Sequence, residues 1–225
     1  MMRMGQERKE KAVVLLSGGI DSTVTLYLVR KYGFAPFALI FDYSQRHEKE
    51  IFYAIKNAKK LHIPYQVIRI SLPWGGSALT DRRIKVPETR SHRGIPPTYV
   101  PARNIIFLSF AVSLAETIAA RKIFIGAHIQ DYAGYPDCRP DFLTVFQAAA
   151  NAGIKNKNIE IVAPLLEKRK RDIIKLGLSL GVDFRDTWSC YKGQKFPCRR
   201  CDSCRYRIKG FREAGLKDPL MGSRE

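Results

Sequence analysis

Ser17-Gly18-Gly19-Ile20-Asp21-Ser22 separates an apolar run, Ala12-Val13-Val14-Leu15-Leu16, from the segment Thr23-Val24-Thr25-Leu26-Tyr27-Leu28-Val29-Arg30. The run reads as a buried parallel strand and the segment after it as a helix. A strand, a tight glycine turn and a helix N-terminus point to an α/β architecture with an anion site at the strand's end. Backbone N–H groups and the positive end of the helix dipole converge there. Gly18 and Gly19 let the backbone come close to a phosphate, and Ser17 and Ser22 add hydroxyl donors. No Gly-Lys-Ser/Thr follows, so the turn is not a Walker A loop. A plain glycine turn between strand and helix is the alternative at this point.

The rest of the chain alternates in the same way. Ala12–Leu16 predicts strand one and Ser22–Lys31 helix one; Pro36–Phe41 and Tyr65–Ile70 predict two more strands. Glu48–Leu61 carries Ile51, Ala54, Ile55 and Ala58 at helical spacing. Residues 71–101 are rich in Pro, Gly, Arg and Thr and read as a long irregular loop. Then come a largely apolar helix, Arg103–Ala119, a strand at Lys122–Gly126, a helix at Asp141–Asn151, a strand at Ile159–Ala163 and a helix at Lys170–Leu180. A short basic helix near Arg205–Ala214 ends the series. Repeated βα units imply a parallel sheet with helices on both faces and ligands beyond the carboxyl ends of its strands. The expectation is one α/β domain over residues 1–225, with a metal-binding C-terminal region at 188–215.

A chain of 225 residues suits one such domain and leaves little for a second. No apolar run reaches the ~20 residues of a membrane span, and the polar, basic Met1–Lys11 stretch lacks the apolar centre of a signal peptide. The expected location is therefore cytoplasmic. The net charge of +18 suits phosphate-bearing ligands or nucleic acid without proving either. Four of the five cysteines, Cys190, Cys198, Cys201 and Cys204, fall within fifteen residues. That clustering favours a metal over disulfides. Four thiolates suit tetrahedral zinc in a closed structural site, with an iron–sulfur cluster as the rival. Cys138 stands apart, as an ordinary packed cysteine or as part of a ligand segment.

The glycine turn resembles the pyrophosphate loop of ATP pyrophosphatases, which adenylate a substrate and release pyrophosphate. Further segments narrow the resemblance: Phe41-Asp42-Tyr43-Ser44-Gln45-Arg46-His47-Glu48-Lys49-Glu50, Tyr99-Val100-Pro101-Ala102-Arg103-Asn104, Asp131-Tyr132-Ala133-Gly134-Tyr135-Pro136-Asp137-Cys138-Arg139-Pro140, Trp188-Ser189-Cys190-Tyr191 and Cys198-Arg199-Arg200-Cys201-Asp202-Ser203-Cys204. In this order and spacing, from Ala12 to Gly215, the set resembles the 7-cyano-7-deazaguanine synthase family. Two places depart from the family's pattern. Ser44 stands where glycine is usual, and Gly126-Ala127-His128-Ile129-Gln130 replaces a commoner Gly-Val-Asn-type sequence.

The resemblance implies a Rossmann-like parallel sheet of the adenine-nucleotide alpha-hydrolase type. It implies conversion of 7-carboxy-7-deazaguanine and ammonia to the nitrile through an adenylated intermediate, in queuosine or archaeosine biosynthesis, with ATP and Mg2+ as co-substrate, bound Zn2+ and a homodimer. Neither a membrane nor direct nucleic-acid binding is required. ATP falls to Leu16, Ser17, Gly18, Gly19, Ile20, Asp21, Ser22, Thr23 and Arg103. Ser17, Asp21 and Lys170 are the candidate catalytic residues, with Asp21 on magnesium and Lys170 on the leaving pyrophosphate. Tyr135, Asp137 and Arg139 are the candidates for the deazaguanine, since a carboxylate suits the paired N–H donors of a guanine edge. Gln45, Arg46, His47 and Glu48 are assigned to the nucleotide or to subunit contacts. A tRNA-thiolation ligase would favour a free cysteine pair, and an amide synthetase of the GMP-forming kind would lack the terminal cysteines. A zinc module binding RNA by charge leaves the pyrophosphate loop unexplained.

Overall fold

A computed structural model describes residues 9–88, 94–131 and 134–220; Tyr132 and Ala133 of the quoted segments lie outside the described residues. Five strands and six helices alternate: β1 (Lys11–Leu15), α1 (Ile20–Lys31), β2 (Ala35–Asp42), α2 (Lys49–Lys60), β3 (Tyr65–Arg69), α3 (Arg103–Ile118), β4 (Lys122–Phe124), α4 (Pro140–Gly153), β5 (Glu160–Val162), α5 (Lys170–Ser179) and α6 (Asp202–Glu213). The predicted elements are all present. β4 and β5 are shorter than expected. α1 begins two residues earlier, which takes Asp21 into its first turn, and α6 begins at Asp202, inside the cysteine segment. Residues 71–101 hold no strand or helix among those described.

All strands are parallel and their order is β3-β2-β1-β4-β5. β1 is therefore central, and its period-two alternation splits the core in two. Ala12, Val14 and Leu16 pack on Leu26 and Val29 of α1 and Ala54 and Ala58 of α2. Val13 and Leu15 pack with Leu108, Ala111, Val112 and Ala115 of α3 and Leu143 of α4. Both faces being covered explains why β1 is an unbroken apolar run. A third cluster joins Ile20 and Val24 of α1 to Ile173 and Ile174 of α5 and Phe211 of α6. No helix among the described residues is long and apolar enough to cross a membrane.

The switch in strand order lies between β1 and β4, where a crevice opens at the carboxyl ends. The C-terminal segment folds back over it. Arg207 of α6 is 1% exposed and ties this segment down. It donates to Asp218 at 2.7 and 2.9 Å, to the Thr187 hydroxyl at 2.7 Å and to the Phe184 carbonyl at 2.9 Å. A buried pair of this kind gives little net stability against an apolar replacement, but losing one partner strands the other charge. Arg207→Met is therefore expected to cost about 3–5 kcal/mol, read by urea unfolding. The double replacement of Arg207 by Met and Asp218 by Leu should recover much of that loss; an equally unstable double variant would show that the charge pairing is not what the anchor supplies.

Candidate active site

The turn after β1 is held by its own hydroxyls. Ser17 Oγ and Ser22 Oγ are 2.9 Å apart, Ser22 Oγ accepts the Ser17 N–H at 3.1 Å, and Ser17 Oγ accepts the Gly19 N–H at 3.3 Å. Gly18 has φ +82°, and a Cβ there would lie 2.1 Å from the Glu50 carbonyl oxygen of α2. Only glycine fits that position. The Gly18 carbonyl in turn accepts the Trp188 N–H at 2.9 Å, so the turn is gripped from both sides.

The turn opens into a cavity of about 890 Å3 at the switch point. Leu16, Ser17, Gly19, Ile20, Asp21 and Ser22 form one end of its lining. Gly18 and Thr23 do not line it. Gly18 shapes the turn and Thr23 is buried beneath it, its N–H bound to the Gly19 carbonyl at 3.1 Å.

Lys170, the first residue of α5, reaches the same place. Its ammonium lies 2.5 and 2.7 Å from the two Asp21 oxygens and 3.0 Å from His128 Nε2. A buried lysine at a helix N-terminus runs against the dipole, and Asp21 offsets it. At Asp21, burial would raise the carboxyl pKa. Lys170 and His128 outweigh burial and hold it well below the usual carboxylate range. Asp131 stands on the far side of His128, with one oxygen 3.6 Å from Nε2. Its pKa is raised, first by burial and also by Asp21. Gly126, which precedes this pair of residues, passes so close to α1 that an added Cβ would sit 2.9 Å from the Ser22 nitrogen.

The other end of the cavity is aromatic. Tyr43, Phe107, Tyr135, Tyr191 and Thr98 line it with Arg103. The Tyr135 hydroxyl is 3.2 Å from Thr98 Oγ1 and also hydrogen-bonds Tyr191. Arg103, at the start of α3, has its guanidinium 5.9 Å from the Phe107 ring centre and hydrogen-bonds the Tyr43 hydroxyl and Asn104 Oδ1. None of these partners belongs to the glycine turn, where the sequence reading had put Arg103.

Of the three residues expected on the deazaguanine, Tyr135 lines the cavity and Asp137 and Arg139 do not. Asp137 is buried and caps α3, accepting the Asn104 N–H at 2.9 Å. Arg139 is exposed at the N-terminus of α4. Cys138 lines the cavity but is buried, which pushes its thiol pKa up, and its sulfur accepts from Asn104 Nδ2 at 3.1 Å. In the 41–50 stretch, Gln45 serves the fold: its side chain accepts the Tyr43 N–H and donates to the Phe41 carbonyl. Arg46 donates to the carbonyls of Asp81 and Ile84 in the long loop. His47 is buried against Glu50 at 3.1 Å and lines the cavity. The sequence reading missed Tyr43, Phe107, His128, Asp131 and Tyr191 as site residues. His128 and Asp131 directly follow β4, at the switch point beside β1, and that position alone could have singled them out.

The four cysteine sulfurs all lie within 4.8 Å of one another, and Cys198 and Cys204 are 3.9 Å apart. Tetrahedral zinc with bonds near 2.3 Å needs sulfur separations of about 3.8 Å. The Sγ atoms of Cys190 and Cys198 also accept the backbone N–H groups of Cys198 and Cys201, at 3.3 Å each. This donor set can hold a metal ion. Trp188 ties the cluster to the glycine turn, since its indole N–H donates to the Cys190 carbonyl at 2.9 Å.

Comparison with known proteins agrees with this arrangement. Over residues 11–215 the chain matches the model of the family described as queuosine biosynthesis protein QueC. It is 50% identical over 221 residues to the 7-cyano-7-deazaguanine synthase of Nostoc punctiforme, covering 94% of this chain and 99% of that one. It is 50% identical over 219 residues to the protein of the same name from Clostridium kluyveri, covering 94% and 97%. Its fold is similar to that of NMN synthetase from Francisella tularensis, with a TM-score of 0.52 at 16% identity over 94% of this chain and 79% of that one. The parallel sheet and the glycine turn make the fold one of the ATP pyrophosphatase type, and by sequence the chain belongs to the QueC family of queuosine biosynthesis proteins.

Proposed function

We propose that this protein is an ATP-dependent 7-cyano-7-deazaguanine synthase, converting 7-carboxy-7-deazaguanine and free ammonia to the nitrile for queuosine or archaeosine. The observation that carries the reading is one cavity with an anion-binding turn and the Lys170–Asp21 pair at one end and a wall of aromatic rings at the other. Such a cavity suits a nucleotide triphosphate beside a planar heterocycle. Mass spectrometry of the products formed from ATP, ammonia and the deazaguanine acid tests it, and absence of the nitrile would refute it.

In this reading the Leu16–Thr23 turn takes the ATP phosphates on its backbone N–H groups and on the Ser17 and Ser22 hydroxyls. The substrate carboxylate attacks the α-phosphorus, giving an acyl adenylate and pyrophosphate. Charge gathers on phosphate oxygens, where preplaced donors act most strongly. Lys170 neutralises the leaving pyrophosphate, exchanging its Asp21 partner for phosphate. Asp21 is then freed for the magnesium that accompanies ATP. Tyr135, with Tyr43, Phe107 and Tyr191, receives the heterocycle.

Ser17→Ala and Asp21→Ala are expected to lose ATP-dependent turnover while staying folded; wild-type rates in either variant would contradict these roles. Gly210 gives an independent check on Lys170. A Cβ at Gly210 of α6 would lie 2.4 Å from Lys170 Cγ, so Gly210→Ala must shift the lysine stem. Misplacement on the ångström scale can cost about 100-fold in rate. A fall in kcat of roughly that size, with α-helical circular dichroism retained, is the expected outcome.

The four thiolates are assigned one zinc per chain, which supplies folding energy and no chemistry, because a four-sulfur site leaves no place for water. Elemental analysis should find zinc, and Cys201→Ala should lose both metal and stability. Iron in its place would point to the rival cluster.

Making a nitrile from a carboxylate removes two oxygens. Ammonia displaces AMP from the acyl adenylate and gives the primary amide. The amide oxygen then leaves the same way: adenylation by a second ATP releases pyrophosphate, and loss of AMP and of the N–H protons leaves the nitrile. Two ATP per nitrile are expected, each yielding AMP and pyrophosphate, and the amide supplied directly should need one ATP and no ammonia. A ratio of one AMP per nitrile would rule this out.

A further inference from the structure

Two arginines line the cavity, and they differ in one respect. Arg207 has its charge matched by Asp218. Arg103 forms no ion pair with a carboxylate among the described residues. Its hydrogen-bond partners are the Tyr43 hydroxyl and Asn104 Oδ1 at 3.4 Å, both neutral. The nearby Asp137 has one oxygen committed to the Asn104 N–H in the α3 cap. A partly buried guanidinium with only neutral partners, facing a cavity, is matched by an anion brought in from outside.

The backbone holds Arg103 in this place. Ala102 before it is left-handed, with φ 55°, and donates its N–H to the Tyr99 hydroxyl at 3.2 Å. Asn104 after it is fixed by Asp137 through both its backbone N–H and its side chain, which donates to the Asp137 carbonyl at 3.2 Å. A non-glycine residue held in that conformation beside a site marks a position the fold over-determines.

The choice of anion lies between an ATP phosphate and the carboxylate of the second substrate. The phosphate end already has the turn's N–H groups, two hydroxyls and Lys170. Arg103's surroundings are flat and aromatic: the Phe107 ring beneath the guanidinium, Tyr43 beside it, and the hydrogen-bonded Tyr135–Tyr191 pair near it. Arginine's planar fork matches a carboxylate with two parallel hydrogen bonds, and the ring bearing that carboxylate can lie along the aromatic wall. The geometry points to Arg103 as the residue that binds the carboxylate of the aromatic acid and so distinguishes the acid from its amide. This rests on the function proposed above, in which one cavity must accept a charged acid first and a neutral amide second.

The two substrates separate the possibilities. Arg103→Met is assayed with ATP and the acid plus ammonia, and separately with ATP and the amide. Loss of a partner to a desolvated charge is expected to lower kcat/KM for the acid roughly 30-fold or more. The value for the amide should stay within about threefold, because no charge is lost there. An equal fall for both would place Arg103 on the ATP phosphate and overturn the inference, as would no fall for either. Arg103→Lys keeps the charge and loses the fork, so it should show the same split at smaller size; this variant serves if the Met form does not fold. Wild-type protein that fails to convert the amide would count against the two-step function and not against Arg103. In that event calorimetric binding of the acid decides: weaker binding by roughly 30-fold in Arg103→Met supports the clamp, and unchanged binding refutes it.

Discussion

The backbone of Gly18 occupies a space that no side chain fits, and the site depends on it. The Glu50 carbonyl of α2 lies where its Cβ would be, and its own carbonyl is taken by Trp188. The turn is thus clamped between a helix that packs on the sheet and a segment from the far end of the chain. With the turn fixed, Ser17, Ser22 and the N-terminus of α1 present their donors in one direction without spending ligand-binding energy on ordering them. The same clamp explains why the C-terminal segment must be anchored so firmly. Arg207 holds residues 184 and 187 through their oxygens, and Trp188 follows directly.

The cavity's electrostatics run in a chain rather than as a single patch. Arg103 influences Tyr135 and Tyr191; these also feel Asp131; Asp131 faces His128, and His128 faces Lys170 and Asp21. The +18 charge of the chain therefore does not make the cavity uniformly positive. At the phosphate end the cation is balanced by Asp21 while the site waits. Incoming phosphates replace one anion with another, so Lys170 is never left as an isolated buried charge. At the aromatic end the cation is balanced by neutral oxygens alone, which makes it the place where a new negative charge gains most.

Much of this was legible in the sequence. Apolar runs, helical spacing and the glycine turn placed every strand and helix, because each reflects a local period or a conformation that few residues adopt. The cysteine spacing likewise brought four sulfurs together. What stayed hidden depended on how separate segments meet. Asp137 looked like a recognition carboxylate from its neighbours, but the fold turns it under α3 as a cap. Arg103 looked like a phosphate ligand from its place at a helix start, but that helix faces the aromatic wall. Tyr43, Phe107 and Tyr191 come from three distant segments and carry no local signature of a site. Asp131 and His128 could have been found from topology, as they follow the strand beside β1.

The metal cluster and the lysine at the other side of the site belong to one mechanical unit. Cys201 caps α6 and Cys204 lies in its first turn, so the metal would fix where that helix starts. Two turns on, Arg207 binds the Phe184–Thr187 segment, and Gly210 lies against the stem of Lys170 with no space to spare. Helix α6 is rigid over this distance, so its N-terminal anchor sets the position of Gly210 and with it the course of the lysine. A structural metal of this kind takes no part in bond-making, yet it has a direct geometric route to the ammonium that meets the phosphates. That gives a physical reason for a metal cluster on an adenylating domain: the free energy of metal binding, which is folding free energy, is applied to the helix against which the catalytic lysine rests.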